Sequence, residues 1–200
     1  MGNQIVIVDP QNGKLQKAKP VTFAELGLKE RKDLEEWIKE NTEILGSPLL
    51  VLSSEYDKFD KSDKRLDLLA LDKGGKVVVI ELKRDAARTL ADLQAIRYAA
   101  FCSTLTFERA VELRSKFARV EVDTAKREIR DFIEDPSFST LDNKPRIILA
   151  AGSFNDQELT SCVLWLREFG VDIRCVEVTP YRLVLLRYVF LKRAILSSTR

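Results

Sequence analysis

Three residues near the middle of the chain, Asp67, Glu81 and Lys83, have the types and spacing to do phosphoryl chemistry. Between the two acids lies Asp72-Lys73-Gly74-Gly75, a hairpin signal with glycine where a positive φ is needed. Closing the hairpin through a three-residue loop, Lys73-Gly74-Gly75, pairs Asp72 with Lys76, and the register then carries Asp67 opposite Glu81. Lys83 falls on the same face two residues later, because strand side chains alternate. The other members of that face are Leu69, Leu71, Val77 and Val79, so two carboxylates and an ammonium stand at the end of an apolar surface. Charges in such a place are costly unless they are paired or hold a metal.

Two carboxylates side by side repel each other and raise one pKa, an effect that a divalent cation between them reverses. Mg²⁺ or Mn²⁺ suits the pair, since such an ion takes one or two protein carboxylates, keeps several waters and binds phosphate oxygens. Water on the ion loses its proton more easily and can attack phosphorus. Lys83 would position that water or neutralise the charge that develops on the phosphoryl group. The structural alternative is a set of cross-strand ion pairs shared with Arg65.

The rest of the composition narrows the chemistry. The sequence has no histidine, which excludes Ser-His-Asp and Cys-His catalysis, HExxH zinc sites and imidazole proton shuttles. Acid–base work must fall to carboxylates, lysine, tyrosine or metal-bound water. Cys102, Cys162 and Cys175 are odd in number and far apart among apolar residues, as expected of buried thiols in a reducing cytoplasm. Lys and Arg total 33 against 31 Asp and Glu, so net charge by itself implies no nucleic-acid partner. No apolar run approaches the length that spans a bilayer, and a soluble cytoplasmic protein without a membrane partner is expected.

The elements that must position these residues can be read from periodicity. Residues 1–27 hold a β-type run, Ile5-Val6-Ile7-Val8, and a turn, which together suggest a hairpin or appended arm. Over residues 28–41, Glu30, Leu34, Trp37 and Ile38 recur on one helical face that carries a single carboxylate. Strands are expected at 49–52, 65–71 and 76–83, forming a meander, then helices at 89–103, 107–117 and 122–133. A buried strand at 146–150, a helix over 156–169 ending at Gly170, and a strand at 171–178 complete the order. This is an α/β fold, a mixed central sheet flanked by helices. Its core is placed at 28–180, and residues 181–200 form a basic segment with Arg182, Arg187, Lys192, Arg193 and Arg200 and no acid.

Asp67, a strand turn and then Glu81-Leu82-Lys83 resemble the D…(D/E)xK signature of the PD-(D/E)XK nuclease superfamily. Gln94-Ala95-Ile96-Arg97-Tyr98 matches the QxxxY element that follows the signature in RecB-like and NucS-like members. Uncharacterised bacterial members are also similar around residues 28–38 and 65–72, and the likeness covers roughly residues 20–180. Ser47-Pro48 supplies no "PD" pair, and residues 183–200 align with nothing in the family.

The resemblance implies a restriction-endonuclease-like core, a Mg²⁺- or Mn²⁺-dependent deoxyribonuclease activity and DNA as partner. It also implies a further acid from the helix before the meander, for which Glu30, Glu35 and Glu36 are at hand. Periodicity favours Glu30, on the apolar face, and ranks Glu36 second, with Glu35 and Glu36 pointing sideways or outward. The full expected site is Glu30, Asp67, Glu81 and the Leu82 carbonyl on the metal, Lys83 on the developing charge, and Gln94 and Tyr98 orienting the site. Arg84 and Arg88 either grip a DNA phosphate or solvate a loop. The alternative from another class is a DNA-binding or scaffold subunit of a repair or defence complex that keeps the fold without cleaving. A homodimer or a partner subunit is compatible with either reading.

Overall fold

The computed structural model describes residues 6–8, 15–56, 66–87, 90–182 and 188–194. Two short strands, β1 (Val6–Val8) and β2 (Leu15–Lys17), pair antiparallel as the expected hairpin, and β3 (Lys19–Pro20) follows. A π-helical segment, Glu30–Glu35, runs directly into α1 (Glu36–Glu40). The meander is β4 (Leu50–Tyr56), β5 (Leu66–Leu71) and β6 (Lys76–Ala86). Helices α2 (Leu90–Cys102), α3 (Phe107–Ala118) and α4 (Val122–Ile133) come next. Then follow β7 (Asp142–Ser153), α5 (Gln157–Glu168), β8 (Ile173–Arg182) and β9 (Tyr188–Ala194).

The main sheet has the order β3-β8-β7-β6-β5-β4, with β9 also paired to β8. Pairing is antiparallel within the β4–β5–β6 meander and parallel from β6 to β7 and from β7 to β8. The architecture is therefore the expected one, a mixed α/β sheet flanked by helices. It reaches past both bounds expected of the core, since β3 and β9 each add antiparallel pairing to β8. Phe23, placed in the arm on sequence grounds, is fully buried.

Both faces of the central strands are apolar, which is why every residue of β5 is buried. Leu69, Leu71, Val77, Val79, Ile147 and Leu149 meet the inner sides of α2 to α5. On the opposite face Leu68, Ala70, Val78, Ile80 and Leu82 meet Phe23, Leu34, Ile38 and Leu45. Cys102 and Cys175 are buried free thiols whose pKa values burial pushes up to about 12, as expected of inert core residues.

Two glycines fix the geometry of β6. Gly75 has φ +76°, and a Cβ there would lie 2.3 Å from the Phe138 ring, so the β5–β6 turn admits no side chain. At the other end a Cβ on Gly152 would meet the Arg84 carbonyl oxygen at 2.7 Å, where the β6–β7 register slips between Lys83 and Ala86. The bulge bends β6 immediately beyond Lys83.

Candidate active site

The turn sets the register, and the register sets the site. Asp72 N donates to Lys76 O at 3.0 Å and Gly75 N to Asp72 O at 3.0 Å, closing the three-residue loop. Pairing runs Leu71↔Val77 through Leu68↔Ile80, so the next step along each strand brings Asp67 and Glu81 opposite one another. The Leu82 amide confirms the proximity by donating to Asp67 Oδ2 at 2.7 Å. Asp67 is 8% exposed and Glu81 only 1%, deep burial for two acids on adjacent strands.

Lys83 completes the cluster. Its Nζ donates to Glu81 Oε1 at 2.7 Å and to the Leu82 carbonyl oxygen at 3.0 Å. The lysine side chain remains 32% exposed, so the ammonium lies between buried oxygens and solvent. Arg65, the cation of the structural alternative, lies outside the described residues. Over this face lies α2, whose packing partners are β6 and β7. Gln94 Nε2 donates to Tyr98 Oη at 3.1 Å, the one-turn spacing of the QxxxY pattern made into a contact. Burial raises the Tyr98 pKa first, and the negative charges of Glu81 and Asp67 raise it further against the Gln94 hydrogen bond and Arg97.

One of the helical acids, Glu35, falls differently from the periodic reading. Glu36 is open to solvent and pairs with Lys39 at 2.5 Å, whereas Glu35, expected to point sideways or outward, is 4% exposed. The segment before it makes a π-type turn, in which the Leu34 amide donates five residues back to the Lys29 carbonyl at 3.2 Å. The Glu30 side chain lies outside the described residues, so its expected role is unchanged by this result. A sequence signal for Glu35 did exist, since Glu35, Ile38, Thr42 and Leu45 follow a 3-4-3 spacing and all four are buried. Glu35 sits 3.7 Å from Lys39 and closes the π-helical segment, which packs against β6. Leu34 of that segment meets the sheet face formed by Val78, Ile80 and Leu82.

Arg84 is held by its own chain. Its Nε and Nη2 donate to Asp85 Oδ2 at 3.0 and 2.5 Å, and Nη1 donates to the Leu28 carbonyl oxygen at 3.4 Å. Arg88 lies outside the described residues. Beyond Lys83 a cleft of about 540 Å³ opens at the carboxyl ends of β6, β7 and β8, lined by Arg84, Asp85, Glu25, Ser153, Asn155 and Thr179 among others. That volume lies within the range of small-ligand sites.

The donor set is all oxygen: the Asp67 and Glu81 carboxylates and the Leu82 carbonyl. Hard donors of this kind fit Mg²⁺ or Mn²⁺, which retain waters at the remaining positions. Among the described residues no group of three or more acidic or cysteine side chains converges, so two carboxylates and a backbone carbonyl are what these residues can offer. The same described residues contain no helix long and apolar enough to cross a membrane.

No known family profile matches this chain, and no curated protein does. Among solved structures it is similar to one described as an EndoMS–dsDNA2 complex, at 22% identity and a TM-score of 0.42 over 74% of this chain and 44% of that one. It is also similar to a repair endonuclease from Pyrococcus abyssi, at 20% identity and a TM-score of 0.42 over 74% of this chain and 47% of that one. The match thus spans under half the length of each of those two proteins. Likeness at this level says nothing about what the site does.

Proposed function

We propose that this chain is a metal-dependent endonuclease of the PD-(D/E)XK type, hydrolysing phosphodiester bonds in DNA. The observation that carries the proposal is the burial of Asp67 and Glu81 opposite one another, with the Lys83 ammonium on Glu81 and on the Leu82 carbonyl. A purely structural ion pair does not need two carboxylates in one apolar corner, and each buried charge there carries a desolvation penalty of several kcal/mol.

In this reading Asp67, Glu81 and the Leu82 carbonyl hold Mg²⁺ or Mn²⁺, with Glu30 as a further ligand from the preceding helix. When bound, the ion polarises a phosphoryl oxygen and acidifies water. The Leu82 amide fixes the Asp67 carboxylate by taking up one of its oxygens, which prevents rotation of the ligand. Lys83 brings positive charge to the phosphoryl oxygens as negative charge builds there, an interaction stronger in the transition state than in the ground state. Gln94 and Tyr98 act as a pair, the amide orienting the phenol beside the carboxylates.

Purified protein incubated with plasmid and single-stranded DNA in Mg²⁺ or Mn²⁺ tests the proposal, with Asp67→Ala as the control. Cleavage by the wild type that the variant lacks is the expected result. DNA binding that weakens with salt, without cleavage under any metal, replaces the proposal with a non-cleaving DNA-binding subunit.

A further inference from the structure

The Lys83 ammonium donates to Glu81 Oε1 at 2.7 Å and to the Leu82 carbonyl oxygen at 3.0 Å, and both oxygens belong to the donor set just assigned to the metal. One positive charge therefore already serves the ligands that a divalent ion would use. Two buried carboxylates without a cation would repel each other and lose hydration together. The lysine relieves both penalties while the Leu82 amide holds Asp67. An ammonium and a divalent ion would compete for these oxygens, because like charges at contact distance repel in a partly buried site.

On the reading of Asp67 and Glu81 as metal ligands, we infer that Lys83 is the resident cation of the metal-free site, and that metal enters by exchange with it. No proton moves and no covalent bond changes. The ammonium would leave Glu81 Oε1 and the Leu82 carbonyl oxygen, those two oxygens would be available to hold the ion, and the lysine would turn outward. Its four-carbon stem and 32% exposure give it the freedom and the direction to do so. The released ammonium would be free to bring its charge to a phosphate, the role proposed for Lys83 above. The same residue then opposes metal binding and supports catalysis.

Calorimetric titration of wild type, Lys83→Met and Lys83→Arg with Mg²⁺ and with Mn²⁺ tests the exchange. Lys83→Met keeps the apolar stem without the charge, and it should bind metal about ten- to a hundredfold more tightly than wild type, the equivalent of one charge-assisted hydrogen bond that no longer has to be broken. Lys83→Arg should show no such gain. Wild type alone supplies a second readout: reductive methylation followed by mass spectrometry should find Lys83 slow to react without metal and faster at saturating Mn²⁺. Equal metal affinity in wild type and Lys83→Met, or a Lys83 reactivity indifferent to Mn²⁺, overturns the exchange while leaving a nuclease that still cleaves DNA. Absence of metal binding in all three proteins removes the metal reading itself, and the exchange with it.

Discussion

The two ends of the β5–β6 hairpin each hold an aspartate and a cation, and they use them in opposite ways. At the turn, Asp72 Oδ1 accepts from the Gly74 and Lys76 amides at 2.9 Å each, and Oδ2 accepts from Arg146 at 3.0 Å. Arg146 also reaches Asp172 at 2.8 Å, which ties the start of β7 to the turn and to the strand beyond. Each charge there is met by rigid donors, as in a structural pair. At the open end, Asp67 accepts from the Leu82 amide and Glu81 from a flexible, partly exposed lysine. A planar guanidinium between fixed acceptors locks a fold, whereas a long-stemmed ammonium beside buried acids can be displaced.

Substitutions at the open end should remove activity before stability. Asp67→Ala is expected to abolish detectable DNA cleavage. Wild type should gain about 2.7 kcal/mol of stability at metal near a hundred times its Kd, and the variant none. Thermal melts across a Mg²⁺ or Mn²⁺ series decide this, and an equal gain in both proteins would break the contrast. Lys83→Ala is expected to lower the cleavage rate about a hundredfold or more, roughly 3 kcal/mol of barrier, in single-turnover assays at saturating metal. A lysine variant that cleaves at the wild-type rate would reduce Lys83 to a structural partner of Glu81.

At the turn end the pattern should invert. Arg146→Ala leaves Asp72 and Asp172 without their shared cation and is expected to lower stability by about 2 kcal/mol in urea melts, with the metal-dependent gain intact. A loss of that gain would show the two ends to be coupled.

The smallest expected effect belongs to Tyr98. Its pKa lies above the ordinary 10.0 because burial and the two carboxylates disfavour the phenolate. The folded state thus keeps a proton that the unfolded chain releases near pH 10, so stability is complete below that pH and falls as pH rises toward the higher folded value. Melting temperature followed upward from pH 9 should decline less steeply in Tyr98→Phe than in wild type. Matching slopes would place the phenol outside the field of Glu81 and Asp67.

Much of this contrast is legible in the residues themselves. The glycines of the turn fix a loop length, the loop length fixes a register, and the register brings Asp67 to Glu81. Gln94 and Tyr98 are singled out by the family resemblance and their place after Lys83, and the four-residue spacing accounts only for their contact. Glu35 belongs to a different helical row, spaced 3-4-3 with Ile38, Thr42 and Leu45, which a face drawn through Glu30, Leu34 and Ile38 passes over. The engagement of Arg84 is hidden as well, because its partners are the next residue and a carbonyl from a segment far away in the chain. Strand β9 lies within a stretch read by its basic charges, although Tyr188-Val189-Phe190-Leu191 has the residue types of a strand. Pairing to β8 depends on backbone groups, on which that charge count is silent.

Strand β5, buried along its whole length and hydrogen-bonded on both sides, has a consequence for how the protein would fail when heated. Amides in such a strand exchange with solvent only when the whole domain opens. Asp67 belongs to that strand, and its partner amide at Leu82 belongs to the neighbour it pairs with. Thermal inactivation should therefore coincide with global melting instead of preceding it, the reverse of enzymes whose reactive groups ride on loops that fray first.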